Sequence, residues 1–76
     1  MKEVLEIIAK ALVDSPEDVS VKEIEGEQSV ILELRVAERD MGKVIGKQGR
    51  IAKAIRTVVK AAANRESKHV VVEIVQ

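Results

Sequence analysis

The residues with chemical potential are concentrated in one stretch, Gly42-Lys43-Val44-Ile45-Gly46-Lys47-Gln48-Gly49-Arg50-Ile51. Two glycines three apart between helical segments allow a sharp backbone turn, and let another chain approach with no Cβ in the way. The N–H groups that open the following helix have no intrahelical acceptor and form a ready anion site. With Lys47 in the loop and Arg50 at the helix start, the pattern predicts a phosphate as ligand. The next helix extends this chemistry. Plotted at about 100° per residue, Arg50, Lys53, Arg56 and Lys60 share one side, whereas Ile51, Ile55, Val58, Val59 and Ala62 share the other. A basic helix face is usually just a solvated one, but such faces normally interleave Glu for i, i+4 pairing. Here no acid occurs between Asp40 and Glu66, which favours binding.

Regular elements must position this loop. Val4, Leu5, Ile8, Ala11 and Leu12 recur at spacings of three and four and predict an amphipathic helix, stopped by Asp14-Ser15-Pro16. Ser15-Pro16-Glu17-Asp18 predicts a short helical connector. Val19 to Glu25 reads as a strand, with Val21 and Ile24 out of strict alternation, which allows a bulge or an early end. After a turn at Gly26, Val30, Leu32, Leu34 and Val36 alternate cleanly with Ile31, Glu33 and Arg35. A helical pattern runs from Arg39 to Ile45, breaks at Gly46 and Gly49, and resumes from Arg50 to about Asn64; Val70 to Val75 is a last β-branched run. The short turn makes the first two strands an antiparallel hairpin. The helical crossover makes the second and third parallel, with the second in the centre. The expected fold is α+β, of order α-β-β-α-α-β, a three-stranded mixed sheet covered on one face by three helices. Ile31, Val71 and Val75 then lie on the uncovered face.

Composition sets the outer bounds. The 76 residues allow one domain with a thin core, and no cysteine is present to reinforce it. No apolar run approaches a membrane span, and Glu3 and Glu6 interrupt the first apolar stretch, so neither a span nor a signal peptide is predicted and a cytoplasmic location is expected. The lone His69 has no flanking ligands, the serines and Thr57 have no adjacent base, and the carboxylates are scattered. The expectation is therefore no catalytic residue, no metal site, no cofactor and no enzyme. The zero net charge is a sum of opposites. From Arg39 to Lys68 nine basic residues face two acids, while the remainder holds four basic and eleven acidic ones. A neutral chain thus carries a strongly basic segment.

Val44-Ile45-Gly46-Lys47-Gln48-Gly49-Arg50 resembles the VIGxxG signature of KH domains, RNA-binding modules in which a GxxG loop clamps four nucleotides. The element order resembles the type II, prokaryotic arrangement over essentially the whole chain, and the run to Ala63 is similar to the small stand-alone bacterial KH proteins of the KhpA kind. The resemblance implies a single type II KH domain over residues 1–76 that binds single-stranded RNA. It implies an RNA-binding set of Lys43, Ile45, Gly46, Lys47, Gln48, Gly49, Arg50, Ala52 and Lys53. The loop would carry the sugar–phosphate backbone, with Lys47, Arg50 and Lys53 as charge partners and Ile45 in the apolar floor under the bases. Ala52 stands where many KH domains carry a larger aliphatic residue, which implies a shallower groove. The third strand near Val70 to Val72 would form the opposite wall. Such a groove works through aliphatic contacts, so the lack of aromatic residues excludes an RRM or cold-shock fold and not this one. The implied role is an RNA chaperone or post-transcriptional regulator, with a homodimer or a second KH-containing protein as partner. The alternative is a protein-interaction adaptor on the same scaffold with little RNA binding of its own.

Overall fold

In the computed structural model, which describes residues 1–63 and 68–75, the elements are α1 (Lys2–Leu12), β1 (Ser20–Glu25), β2 (Ser29–Arg35), α2 (Met41–Ile45), α3 (Arg50–Ala63) and β3 (His69–Val75). Short 3-10 turns at Pro16–Asp18, Glu38–Asp40 and Lys47–Gly49 join them. The expected end of the long helix at Asn64 lies outside the described residues.

The sheet has the order β1-β2-β3, with β1 antiparallel and β3 parallel to the central β2. β2 is central because its alternation is the most regular: Val30, Leu32 and Leu34 are buried under the helices while Glu33 and Arg35 face away. Burying side chains such as Leu5, Leu32 and Leu34 contributes roughly 1.5–3 kcal/mol each. Pairing between β1 and β2 is continuous from Ser20↔Arg35 to Glu25↔Val30, so there is no bulge and no early end. Ile24 is out of the core pattern because it points to the helix-free face, where it lines up with Ile31 and Val71.

Two helix faces are turned from where periodicity alone puts them. In α1 the buried residues are Leu5 and Ala9, whereas Ala11 and Leu12 are exposed. In α3 they are Ala52, Ile55, Val59 and Ala63, whereas Val58 and Ala62 are exposed. Each apolar stripe is wider than the sheet contact it makes, and small Ala at the contact allows close approach. The spare flanks meet each other. Ile8 and Leu12 of α1 with Ile51, Ala54, Ile55 and Val58 of α3 line an apolar groove at the surface.

Candidate nucleic-acid interface

The loop between α2 and α3 is shaped by its own residues. Gly46 ends α2 at φ 77°, ψ 172°, and its N–H donates to the Gly42 carbonyl at 2.8 Å. A Cβ on Gly46 would come within 2.5 Å of Ile51 Cγ1, so both the backbone angle and the space require glycine. Gly49, at φ 73°, has nothing among the described residues within 4 Å of where a Cβ would sit, so the angle is what calls for glycine. Its N–H donates to the Gly46 carbonyl at 3.1 Å, closing the loop. Between the glycines, Gln48 adopts φ 59°, ψ 24°, a left-handed conformation uncommon for a side-chain-bearing residue. Its Oε1 accepts a hydrogen bond of 3.1 Å from Arg50 Nη2. The turn thus projects Lys47 and Gln48 into solvent and runs straight into α3; the Arg50 N–H that opens the helix, expected to lack an acceptor, donates to the Lys47 carbonyl of this turn.

The far end of α2 is held differently. Asp40 is fully buried, and its carboxylate accepts the N–H groups of Asp14 at 3.3 Å and Ser15 at 3.0 Å. Arg39 Nη2 donates to the hydroxyl of the buried Ser15. Lys43 Nζ hydrogen-bonds the Asp14 carboxylate and lies 3.7 Å from Asp40 Oδ1. The hydrogen bond from Lys43 holds the Asp14 carboxyl below its ordinary range, with the lysine charge adding to it. The same hydrogen bond raises the Lys43 ammonium above its ordinary value. This cluster pins the connector after α1 to α2. Neither Asp14 nor Asp40 stands out in a sequence, because the contacts join residues more than twenty positions apart.

The expected site residues therefore separate into groups. Lys47 and Lys53 are exposed and, among the described residues, have no ion-pair partner. Ile45 is 37% exposed beside the loop, an available aliphatic surface. Lys43 has its charge committed to Asp14 and Asp40. Ala52 is only 5% exposed and lies outside the main core cluster, so it offers closeness of approach rather than surface. His69 is exposed at the start of β3. Among the described residues no group of three or more His, Cys, Asp or Glu is placed to hold a metal ion. None of the described helices is long and apolar enough to cross a membrane.

The family model for the KhpA/KhpB KH domain matches residues 2–74. The chain belongs to this family. The RNA-binding protein KhpA of Clostridium perfringens is 75% identical over 75 residues, covering 99% of this chain and 100% of the relative. The RNA-binding protein KhpA of Aquifex aeolicus is 51% identical over 76 residues, covering 100% of this chain and 96% of the relative. Among solved structures, Era of Aquifex aeolicus bound to GDP and AlF4 superposes with a TM-score of 0.68 at 21% identity. Era in complex with MgGDPNP and nucleotides 1506–1542 of 16S ribosomal RNA superposes with a TM-score of 0.65 at 22% identity. Both alignments cover 96% of this chain and 28% of the Era chain, and they establish a shared fold.

In this KH domain the helical and strand walls are joined by a residue that the sequence places only on the basic face of α3. Arg56 Nε donates to the main-chain carbonyl of Val72 in β3, at 3.1 Å. Among the described residues β3 is an edge strand, so one of its sides has no strand partner there. The contact depends on where β3 packs. Nothing in the local sequence signals it.

Proposed function

We propose that this chain, a single KH domain over residues 1–76, binds single-stranded RNA. About four nucleotides would run over the Gly46–Gly49 loop and along the basic face of α3. The observation that carries this reading is the loop itself. Gly46 has no room for a Cβ, while Lys47 and Gln48 stand exposed on a turn that opens into an acid-free helix. The relatives named RNA-binding protein KhpA support it, as does the KH family itself. Lys47, Arg50 and Lys53 supply charge to phosphates, and Ile45 supplies an aliphatic contact to a base. The chain acts by binding rather than catalysis, as an RNA chaperone or post-transcriptional regulator in the cytoplasm.

The test is the double variant Lys47→Asp, Gln48→Asp. Asp tolerates a left-handed conformation, so a circular-dichroism melt should stay close to wild type. Titration with labelled single-stranded RNA should show at least a tenfold loss, because two carboxylates then face the phosphates. Unchanged affinity in a folded variant would sink the reading. With roughly three phosphates contacted, wild-type affinity should fall with salt at a log–log slope near −2.

A second reading is favoured by the groove between α1 and α3. Its lining is aliphatic apart from Arg50, and it suits a second copy or another KH-containing protein. Pairing and RNA binding are compatible, since two weak modules joined together gain avidity. Light scattering across a concentration series, with Val58→Lys as the disrupting variant, reads out self-association.

A further inference from the structure

The main-chain groups of β3 point alternately to β2 and to the open edge. His69 N–H donates to the Gln28 carbonyl at 3.0 Å, so the odd-numbered residues of β3 face inward. Val70, Val72 and Ile74 therefore direct their N–H and C=O groups to the edge that no strand among the described residues covers. In the middle of that edge, Arg56 occupies the Val72 carbonyl through Nε. Two things follow for anything lying against β3. An acceptor has been removed from the centre of the edge. In its place stand the two Nη groups of a guanidinium, which have no other partner among the described residues.

A guanidinium held at Nε still presents its outer pair of N–H groups as a parallel fork. Arg56 is half-buried between helix and strand, unlike Lys53 and Lys60, whose side chains on the same face are exposed. It also lies six residues beyond Arg50, or about 9 Å along the helix from the loop. Those exposed ammonium groups suit phosphates, whereas a flat, fixed, half-buried fork suits the edge of a base. Fixing the fork beforehand lowers the ordering cost of using it.

We propose that Arg56 is a specificity-determining residue that selects, at the nucleotide facing β3, a base with two adjacent hydrogen-bond acceptors. Guanine offers O6 and N7, and cytosine offers O2 and N3. Adenine and uracil interrupt each such pair with a donor. The inference rests on the RNA-binding reading, and its test separates the two.

The test is anisotropy titration of the full chain with labelled RNA octamers: oligo(U), oligo(A), oligo(C) and a mixed U/G sequence. Wild type should bind oligo(C) or the U/G octamer at least about fivefold tighter than oligo(U) and oligo(A), the lower end expected for one bidentate pair. R56K has a point charge in place of the fork, and its preference ratio should fall to within about twofold of unity. Replacing cytosine by 3-deazacytidine, or guanine by 7-deazaguanosine, removes one acceptor. That change should cost wild type the same factor and leave R56K nearly indifferent. Equal binding of all four octamers by wild type would overturn the inference while leaving RNA binding intact. So would a preference that survives in R56K, or an R56K variant altered only in aggregation, which would make Arg56 a guard of the open edge. If no octamer binds, the RNA-binding reading fails as well.

Discussion

The two ends of α2 are held in opposite ways, although only five residues separate them. At the N-terminal end a fully buried carboxylate gathers two main-chain N–H groups and a lysine, and the nearby charges are consumed by one another. At the C-terminal end, backbone shape does the holding: a glycine with no room for a Cβ, a left-handed Gln48 and a second glycine. The main-chain N–H groups of Gly46, Gly49 and Arg50 are used within the turn, but the Lys47 ammonium is exposed and, among the described residues, has no ion-pair partner. An anchor closed by ion pairs consumes the charges beside it, and an anchor made of backbone geometry leaves the Lys47 charge exposed.

Substitutions at the two ends test this division. The largest effect is expected for Asp40→Ala, which leaves two main-chain N–H groups without their buried acceptor. At roughly 1–3 kcal/mol for each orphaned group, a loss of about 3–5 kcal/mol should appear in a urea titration. If the loss is under about 1 kcal/mol, water replaces the carboxylate and the end is not closed. Gly46→Ala comes next. It combines the left-handed penalty with a clash against Ile51 Cγ1 at 2.5 Å, and about 2–4 kcal/mol is expected. Gly49→Ala, with open space and only the angle against it, should cost visibly less. Equal costs would mean that Ile51 yields and that space does not constrain the loop.

The smallest effects distinguish the two lysines. Lys43→Met should leave the salt slope of RNA binding unchanged, because its charge already belongs to Asp14 and Asp40. Lys47→Met should flatten the slope by about 0.7, one phosphate contact. Lys43→Met should also alter pH dependence. The folded-state pKa of Asp14 is lowered, so its contribution is present above its ordinary 3.8 and is lost as pH falls through the folded value. That of Lys43 is raised, so its contribution is complete below 10.5 and is lost as pH rises through the folded value. Thermal melts should therefore separate wild type from Lys43→Met between those limits and converge on the acid side. Both groups are exposed, so the separation should be slight.

The elements and their topology are legible in the residues because the signals are local. Period-two alternation from Val30 to Leu34 marks the central strand, and the crossover dictates that β3 runs parallel to it. The glycine loop is legible because its angles are demanded within four residues. Helix faces were only half legible. The stripes of α1 and α3 are each wider than one contact, and periodicity does not say which flank the sheet takes.

What the amino-acid sequence determined by itself is the fold class, a sharp turn at Gly46 and Gly49, and the segregation of basic charge after Arg39; that Ile51 leaves no room for a Cβ on Gly46 came from the packing. Only the tertiary structure decided which cations are free. Lys43 and Lys47 stand four apart with the same chemistry, yet Asp14, twenty-nine residues before Lys43, claims one of them and leaves the other. Likewise Arg56 is one more basic residue on a helix until β3 packs beside it and offers the Val72 carbonyl. The reason is physical: conformation follows from neighbours in the chain, whereas the pairing of a charge follows from neighbours in space.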